Sequence, residues 1–294
     1  MSWFRRKTPK PARPAPGPVS PPVRHERAAR TFDWRSYDAV AKDYARIHGA
    51  HTAVVAADVL QRVGAGPGKR ILDVGTGTGD ALAAAEQSGS GGVVVGVDSA
   101  PGMLRFARPG HLIAAAEVIN LPFRDATFDG AMANFALPYF TKLDTSLFDV
   151  RRVLKPGGIL GVAVWGADED DLTKTWRLLV EEAIGRDILK AGLKDEAPWA
   201  ERLSDRQRLE TALRDAGFRP VTVEAMRYKF QTTRDDYIIG HEIEAAGRYT
   251  KVMLGERLWP GFQQRVRAAY EEKFPEQLVD FRDVLIAVAS KPSR

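Results

Sequence analysis

The sequence predicts an α/β fold, a seven-stranded, mostly parallel sheet with helices on both faces and a helical cap. Three observations carry that prediction. Aliphatic and β-branched runs of strand length alternate with helix-like segments between residues 70 and 164. The first run ends in the glycine-rich turn Gly75-Thr76-Gly77-Thr78-Gly79, and a helical pattern opens at Asp80. Beyond residue 164 the alternation gives way to amphipathic helices around two further strand-like runs, Val221 to Phe230 and Phe281 to Ala289.

In chain order, residues 1–30 hold seven prolines and eight Lys or Arg against one Glu, with little that can pack, and read as a disordered basic arm. That arm carries +7 of a whole-chain charge of +5, so residues 31–294, the expected folded domain, sum to −2. An acidic body is a poor partner for a polyanion, and no nucleic acid is expected. Trp3 and Phe4 beside Arg5, Arg6 and Lys7 permit weak contact of residues 1–30 with an anionic membrane surface.

Two helices precede the glycine turn, because Tyr37, Val40, Ala41 and Tyr44, then Ala56, Val59, Leu60 and Val63, recur at helical spacing. Strands follow at Arg70 to Val74, Val93 to Val97, Leu112 to Ala116, Phe128 to Asn134 and Ile159 to Val164, with helices from Asp80, Pro101 and Thr141. Trp176 to Ile184 and Arg206 to Ala216 are helical in pattern. Two stretches, about 168–204 and 231–280, are too long for plain turns and read as cap insertions over the open end of the sheet. The 294 residues, 44% of them hydrophobic, suffice for a full core. The absence of Cys excludes disulfides, thiolate metal sites and cysteine nucleophiles, and no metal is expected. No apolar run approaches the ~20 residues of a spanning helix, so the cytoplasm is the expected location. None of these features sets an oligomeric state.

The turn names its ligand by charge. A dinucleotide site favours G-x-G-x-x-G and a pyrophosphate on bare helix amides, whereas this turn is G-x-G-x-G with Asp73 and Asp80 on its flanks. Carboxylates there suit a cationic ligand such as S-adenosylmethionine, which bears a sulfonium and an ammonium. Asp98, ending the next strand, has two oxygens for two ribose hydroxyls, and Glu117 after the third strand lies within reach of an adenine amino group.

With Arg151-Arg152-Val153-Leu154-Lys155-Pro156-Gly157-Gly158 leading into the fifth strand, these segments resemble the class I S-adenosylmethionine-dependent methyltransferases. The closest subgroup in pattern is that of the ubiquinone and menaquinone C-methyltransferases and related small-molecule enzymes. The resemblance runs from about residue 37 to 291 and is strongest over 70–164. It implies a Rossmann-like fold and S-adenosylmethionine as cofactor. It further implies that Gly75, Gly77 and Gly79 admit the methionine moiety and that Asp73 faces its ammonium. Asp98 would hold the ribose, with Ser99 and Met103 beside the adenosine, and the Val118 N–H would meet a ring nitrogen. Glu117 stands where that family usually has Asp. Asn134 and Phe135 would border the transferred methyl, and Tyr44 would close over the cofactor.

Methyl transfer needs alignment and, in some cases, loss of a proton, so no strict catalytic motif is expected. Asn134-Phe135-Ala136-Leu137 is unlike the Asn-Pro-Pro-Tyr segment of amino-methylating DNA enzymes. Trp176, Trp199, Tyr237, Tyr249, Trp259 and Phe262 in the cap point to a small apolar or aromatic acceptor methylated on oxygen or carbon. His241, His48 and Tyr139 are the candidate proton acceptors; His51 shares the helical spacing of His48. Rival readings are a cofactor-binding protein without methyl transfer, an RNA-modifying methyltransferase, and a nicotinamide oxidoreductase, which the glycine spacing opposes.

Overall fold

The computed structural model describes residues 37–89 and 91–293. The basic arm of residues 1–30, and with it the expected membrane contact, lies outside the described residues. After a 3-10 turn at Tyr37–Ala39, helices α1 (Ala41–Ile47) and α2 (Gly49–Arg62) lead into strand β1 (Arg70–Val74). Helix α3 (Asp80–Gln87), strand β2 (Val93–Asp98), helix α4 (Pro101–Leu104) and strand β3 (Leu112–Ala115) follow. Strand β4 (Phe128–Asn134), helix α5 (Leu143–Val153) and strand β5 (Leu154–Trp165) complete the parallel part. The helix expected from Thr141 starts two residues later, and that from Pro101 is a single turn.

Helices α6 (Asp171–Ile184), α7 (Arg186–Glu196), α8 (Ala200–Leu203) and α9 (Arg206–Asp215) lead to strand β6 (Val221–Thr233). Helices α10 (Arg234–Ile243) and α11 (Ala245–Lys273), the latter kinked at Gly255, then return the chain to strand β7 (Gln277–Ser290). Both last strands are longer than their hydrophobic patterns: Thr233 still pairs with Gln277, because a two-stranded ribbon reaches beyond the sheet to carry the cap.

The seven strands lie in the order β3-β2-β1-β4-β5-β7-β6, parallel from β3 to β5 and antiparallel through β7 and β6. The order reverses between β1 and β4, which opens a crevice beyond their carboxyl ends. Side chains alternate across the sheet. Leu72 and Val74 pack with Val150, Leu209 and Phe218 on one face, while Ile71 packs with Val55, Val59 and Met132 on the other. A third cluster fills the cap, where Trp176, Val180 and Leu189 meet Tyr237, Trp259, Phe262 and Tyr270. Arg152, at the end of α5, clamps the loop before β4: its guanidinium donates to the carbonyls of Phe123 and Leu121 and to Asp125 and Asp149. No described helix is long and apolar enough to cross a membrane.

Candidate active site

The glycine turn projects from the end of β1 at the crevice. Gly75, Gly77 and Gly79 take φ of +74°, +55° and +83°, a region that penalises any side chain. At Gly75 a Cβ would also strike Ala136 in the loop after β4, so this glycine lets the two loops that border the crevice close on each other. Gly77 N–H donates to Asp98 Oδ2 and Ala100 N–H to Asp98 Oδ1, both at 2.8 Å. Each Asp98 oxygen thus keeps a free lone pair while the carboxylate is held in place. Burial raises the Asp98 carboxyl, the two amides oppose this, and the charges of Asp38 and Glu117 add to the rise. Glu117 itself is exposed at the start of the 3-10 turn Val118–Asn120, and Ser99 is also exposed. Met103 is buried, its methyl 3.4 Å from where a Gly77 Cβ would stand.

Asp73 is 1% exposed and its Oδ1 has no hydrogen-bond partner. Burial pushes its carboxyl up to about 7; the Thr76 hydroxyl beside it acts the other way, and the Asp98 and Asp80 charges add to the rise. Across the crevice, Asn134 donates Nδ2 to the Thr52 carbonyl at 3.0 Å, and its Oδ1 is buried without a partner. Two oxygens, one on a carboxyl and one on an amide, are therefore buried at the ends of β1 and β4 without a hydrogen-bond partner. Thr52 also donates its hydroxyl to Asp80 Oδ2 at 2.9 Å, tying α2 to the glycine turn. Tyr44 is half-buried; its hydroxyl is pushed well above the ordinary range first by burial and then by the charges around it, among them Asp80, Glu244 and Asp98.

Two cavities adjoin this crevice beneath the cap. The inner one is lined by Thr52, His48, His51, Phe230 and Asp280, among others; the outer one, about 330 Å³, has an apolar wall of Trp176, Val180, Leu189 and Leu193. Trp165, His241, Glu244 and Arg282 border both. Trp165, the last residue of β5, stacks on Phe135 with ring centroids 4.0 Å apart, and Phe135 holds φ +58° to do so. Through Thr52 on one side and the Phe135–Trp165 stack on the other, the inner cavity abuts the crevice.

The imidazole of His241 lies 3.2 Å through Nδ1 from Glu244 Oε2, and His48 Nε2 lies 3.9 Å from Glu244 Oε1 and 3.3 Å from the Gly240 carbonyl. Burial would raise the Glu244 carboxyl, but His241, His48 and Arg282 together hold it well below the usual range. Burial lowers His48, which Glu244 and the Gly240 carbonyl oppose. Tyr139 is edge-on to Tyr37 at 5.9 Å, its hydroxyl raised by burial, with the Glu244 charge adding to the rise.

Of the six cap aromatics read from the sequence, Trp176 and Tyr237 border the cavities. Trp259 and Phe262 are core, Tyr249 packs against that core, and Trp199 donates Nε1 to the Phe140 carbonyl. The residues missed were Glu244, Asp280, Arg282, Trp165 and Thr52. Asp280 and Arg282 carried a usable signal, the two-residue spacing that places side chains on one face of a strand.

The sequence profile described as a methyltransferase domain matches residues 72–162, from β1 through β5. Over residues 72–162 the chain is therefore similar to a methyltransferase domain. Relatives with that domain include the demethylmenaquinone methyltransferase of Corynebacterium kroppenstedtii, 38% identical over 44% of this chain and 57% of its own length. The malonyl-acyl-carrier-protein O-methyltransferase of Geobacter sulfurreducens is 34% identical over 52% of this chain and 57% of its own. The chain thus spans about half the length of the curated relatives it matches. Among solved structures, phosphoethanolamine N-methyltransferase 2 of Haemonchus contortus superposes with a TM-score of 0.54 at 18% identity, covering 89% of this chain and 61% of that one. The cyclase SpnF gives 0.54 at 20% identity over 88% of this chain and 95% of that one. At such identities the superpositions show the fold alone, a Rossmann-like methyltransferase fold.

Proposed function

We propose that this methyltransferase domain makes the chain an S-adenosylmethionine-dependent methyltransferase acting on a small organic acceptor. The observation that carries the reading is that Asp73, at the end of β1, and Asn134, at the end of β4, each bury an oxygen with no hydrogen-bond partner. An ammonium supplies the donors both lack, and it relieves the cost of an ionised Asp73 in an apolar surround. Asp98 would accept from two ribose hydroxyls through its free lone pairs, Glu117 and the Val118 N–H would meet the adenine, and Tyr44 would cover the methionine end. When bound, S-adenosylmethionine supplies an electrophilic methyl on a sulfonium.

The remaining work falls to the chain. The Phe135–Trp165 stack and the cap exclude water, and the cavities align the acceptor with the crevice. His241, with Nδ1–H donated to Glu244, keeps Nε2 to accept a proton from an acceptor hydroxyl. Oxygen and carbon acceptors are both consistent with such a base, since a deprotonated hydroxyl also activates an adjacent ring carbon. In this reading the enzyme works in the cytoplasm, which cell fractionation checks. The test is transfer of labelled methyl from S-adenosylmethionine into small-molecule fractions of an extract. Label in a small molecule with wild type and none with Asp98→Ala supports it; cofactor binding without transfer to any fraction leaves a binding protein instead.

A further inference from the structure

Six carboxylates, Asp168, Glu169, Asp236, Glu244, Asp280 and Asp283, line the two cavities against two guanidiniums, Arg177 and Arg282. Arg46 and Arg227 reach Asp236 and Asp283 from outside, Arg177 pairs with Glu169, and Arg282 lies 3.3 Å from Asp280 Oδ2. Glu244 and Asp168 are the two carboxylates for which no guanidinium partner is seen among the described residues. The cleft is therefore acidic even after its ion pairs are counted.

A second observation picks out the place. Asp280 is 6% exposed, borders the inner cavity, and has an Oδ1 with no hydrogen-bond partner. Glu244 is close enough for its charge to act on the Asp280 carboxyl, and its own oxygens lie nearest to the imidazoles of His241 and His48, with the Arg282 charge acting from farther off. Arg282 cannot serve an incoming anion well. Its guanidinium lies 4.9 Å over the Trp165 ring, donates Nη1 to Thr173 Oγ1 at 3.0 Å, and faces Asp280 through Nε. The apolar wall of the outer cavity, from Trp176 to Leu193, accommodates a hydrocarbon or aromatic body on the far side of the same junction.

We propose that the junction of the two cavities is a subsite for a protonated amine on the acceptor, received by the Asp280 and Glu244 carboxylates while the apolar body rests on Trp176, Val180, Leu189 and Leu193. The inference rests on the methyltransferase reading and names the class of acceptor, an amphiphilic amine. An ammonium donates to Asp280 Oδ1, which otherwise pays for its burial unpaired, and balances the acidic excess. Burial holds the Asp280 carboxyl up at about 6 although Arg282 favours its ionisation, which is the state of a carboxylate short of one cation.

Phenethylamine, 2-phenylethanol and phenylacetate share one aromatic body and differ in the charge of the polar end. Their binding to the full chain is measured by calorimetry at about pH 8, where the amine is cationic, with and without S-adenosylhomocysteine. Phenethylamine is expected to bind about tenfold more tightly than phenylacetate, with the alcohol between. Asp280→Asn and Glu244→Gln are each expected to erase that preference, their own S-adenosylhomocysteine binding showing that they are folded. Equal binding of the three probes, tighter binding of phenylacetate, or a preference that survives in a folded variant of either carboxylate overturns the subsite. Failure of the wild type to bind S-adenosylhomocysteine sinks the methyltransferase reading instead, whatever the probes do.

Discussion

At the scale of single residues, the account turns on Asp73. Its carboxyl sits at about 7 rather than the ordinary 3.8, with Asp98 and Asp80 as the neighbouring charges and the Thr76 hydroxyl in opposition. The raised value means the folded protein holds the proton more tightly than the unfolded chain does. Asp73 therefore adds stability at low pH, and that contribution is lost as pH rises from about 4 to about 7. An ammonium beside it needs the ionised form, so affinity for S-adenosylhomocysteine should fall below pH 7, by up to about tenfold per pH unit. Calorimetry in buffers of different ionisation enthalpy reads the proton release directly, and Asp73→Asn should flatten the profile. His241→Gln is expected to lower kcat by about a hundredfold, with S-adenosylhomocysteine affinity unchanged.

The crevice loops were legible in the sequence because their signals are local: three glycines spaced by two and a carboxylate at the end of each of two strands. The acceptor side was not. Glu244 meets His48 from the opposite end of the domain, a juxtaposition that tertiary packing makes and no spacing encodes. Asp280 fell outside the strand as its hydrophobic pattern bounded it, since the ribbon extension of β7 faces a polar cavity.

At the scale of elements, the cap is fastened by a buried ion pair. Arg248 of α11 donates Nη2 to Glu196 of α7 at 2.7 Å, both side chains are 6% exposed, and the guanidinium lies 4.0 Å over the Tyr37 ring. Arg248→Met removes the guanidinium from this buried pair and should cost about 3–5 kcal/mol, seen as a lowered urea midpoint. Restoring much of it with Glu196→Leu in the same chain would identify desolvation as the cause. Gly75→Ala combines a positive φ with a clash at Ala136 and should cost about 2 kcal/mol or more, with a parallel loss of cofactor affinity. The strand and helix alternation over residues 70–164 was readable because each element buries one periodic face. The extents of β6 and β7 were not, because their outer turns pair with each other and not with a core.

For the molecule as a whole, the strand reversal at β1 and β4 sets a donor crevice, and the β6–β7 ribbon hangs a helical cap over it with an acidic cavity between. The fold class followed from the alternation, the glycine turn and the pattern beyond residue 164; the character of the cavity followed from where the cap lands. The claim on which everything else depends is that the crevice binds a cationic, adenosine-bearing methyl donor. Isothermal calorimetry of the full chain with S-adenosylmethionine, S-adenosylhomocysteine and NAD tests it most directly. The account predicts one-to-one binding of both S-adenosyl compounds, loss of about 2–3 kcal/mol of that affinity in Asp98→Ala, and no heat from NAD. Binding of NAD, or no binding of either S-adenosyl compound by the folded protein, would contradict it.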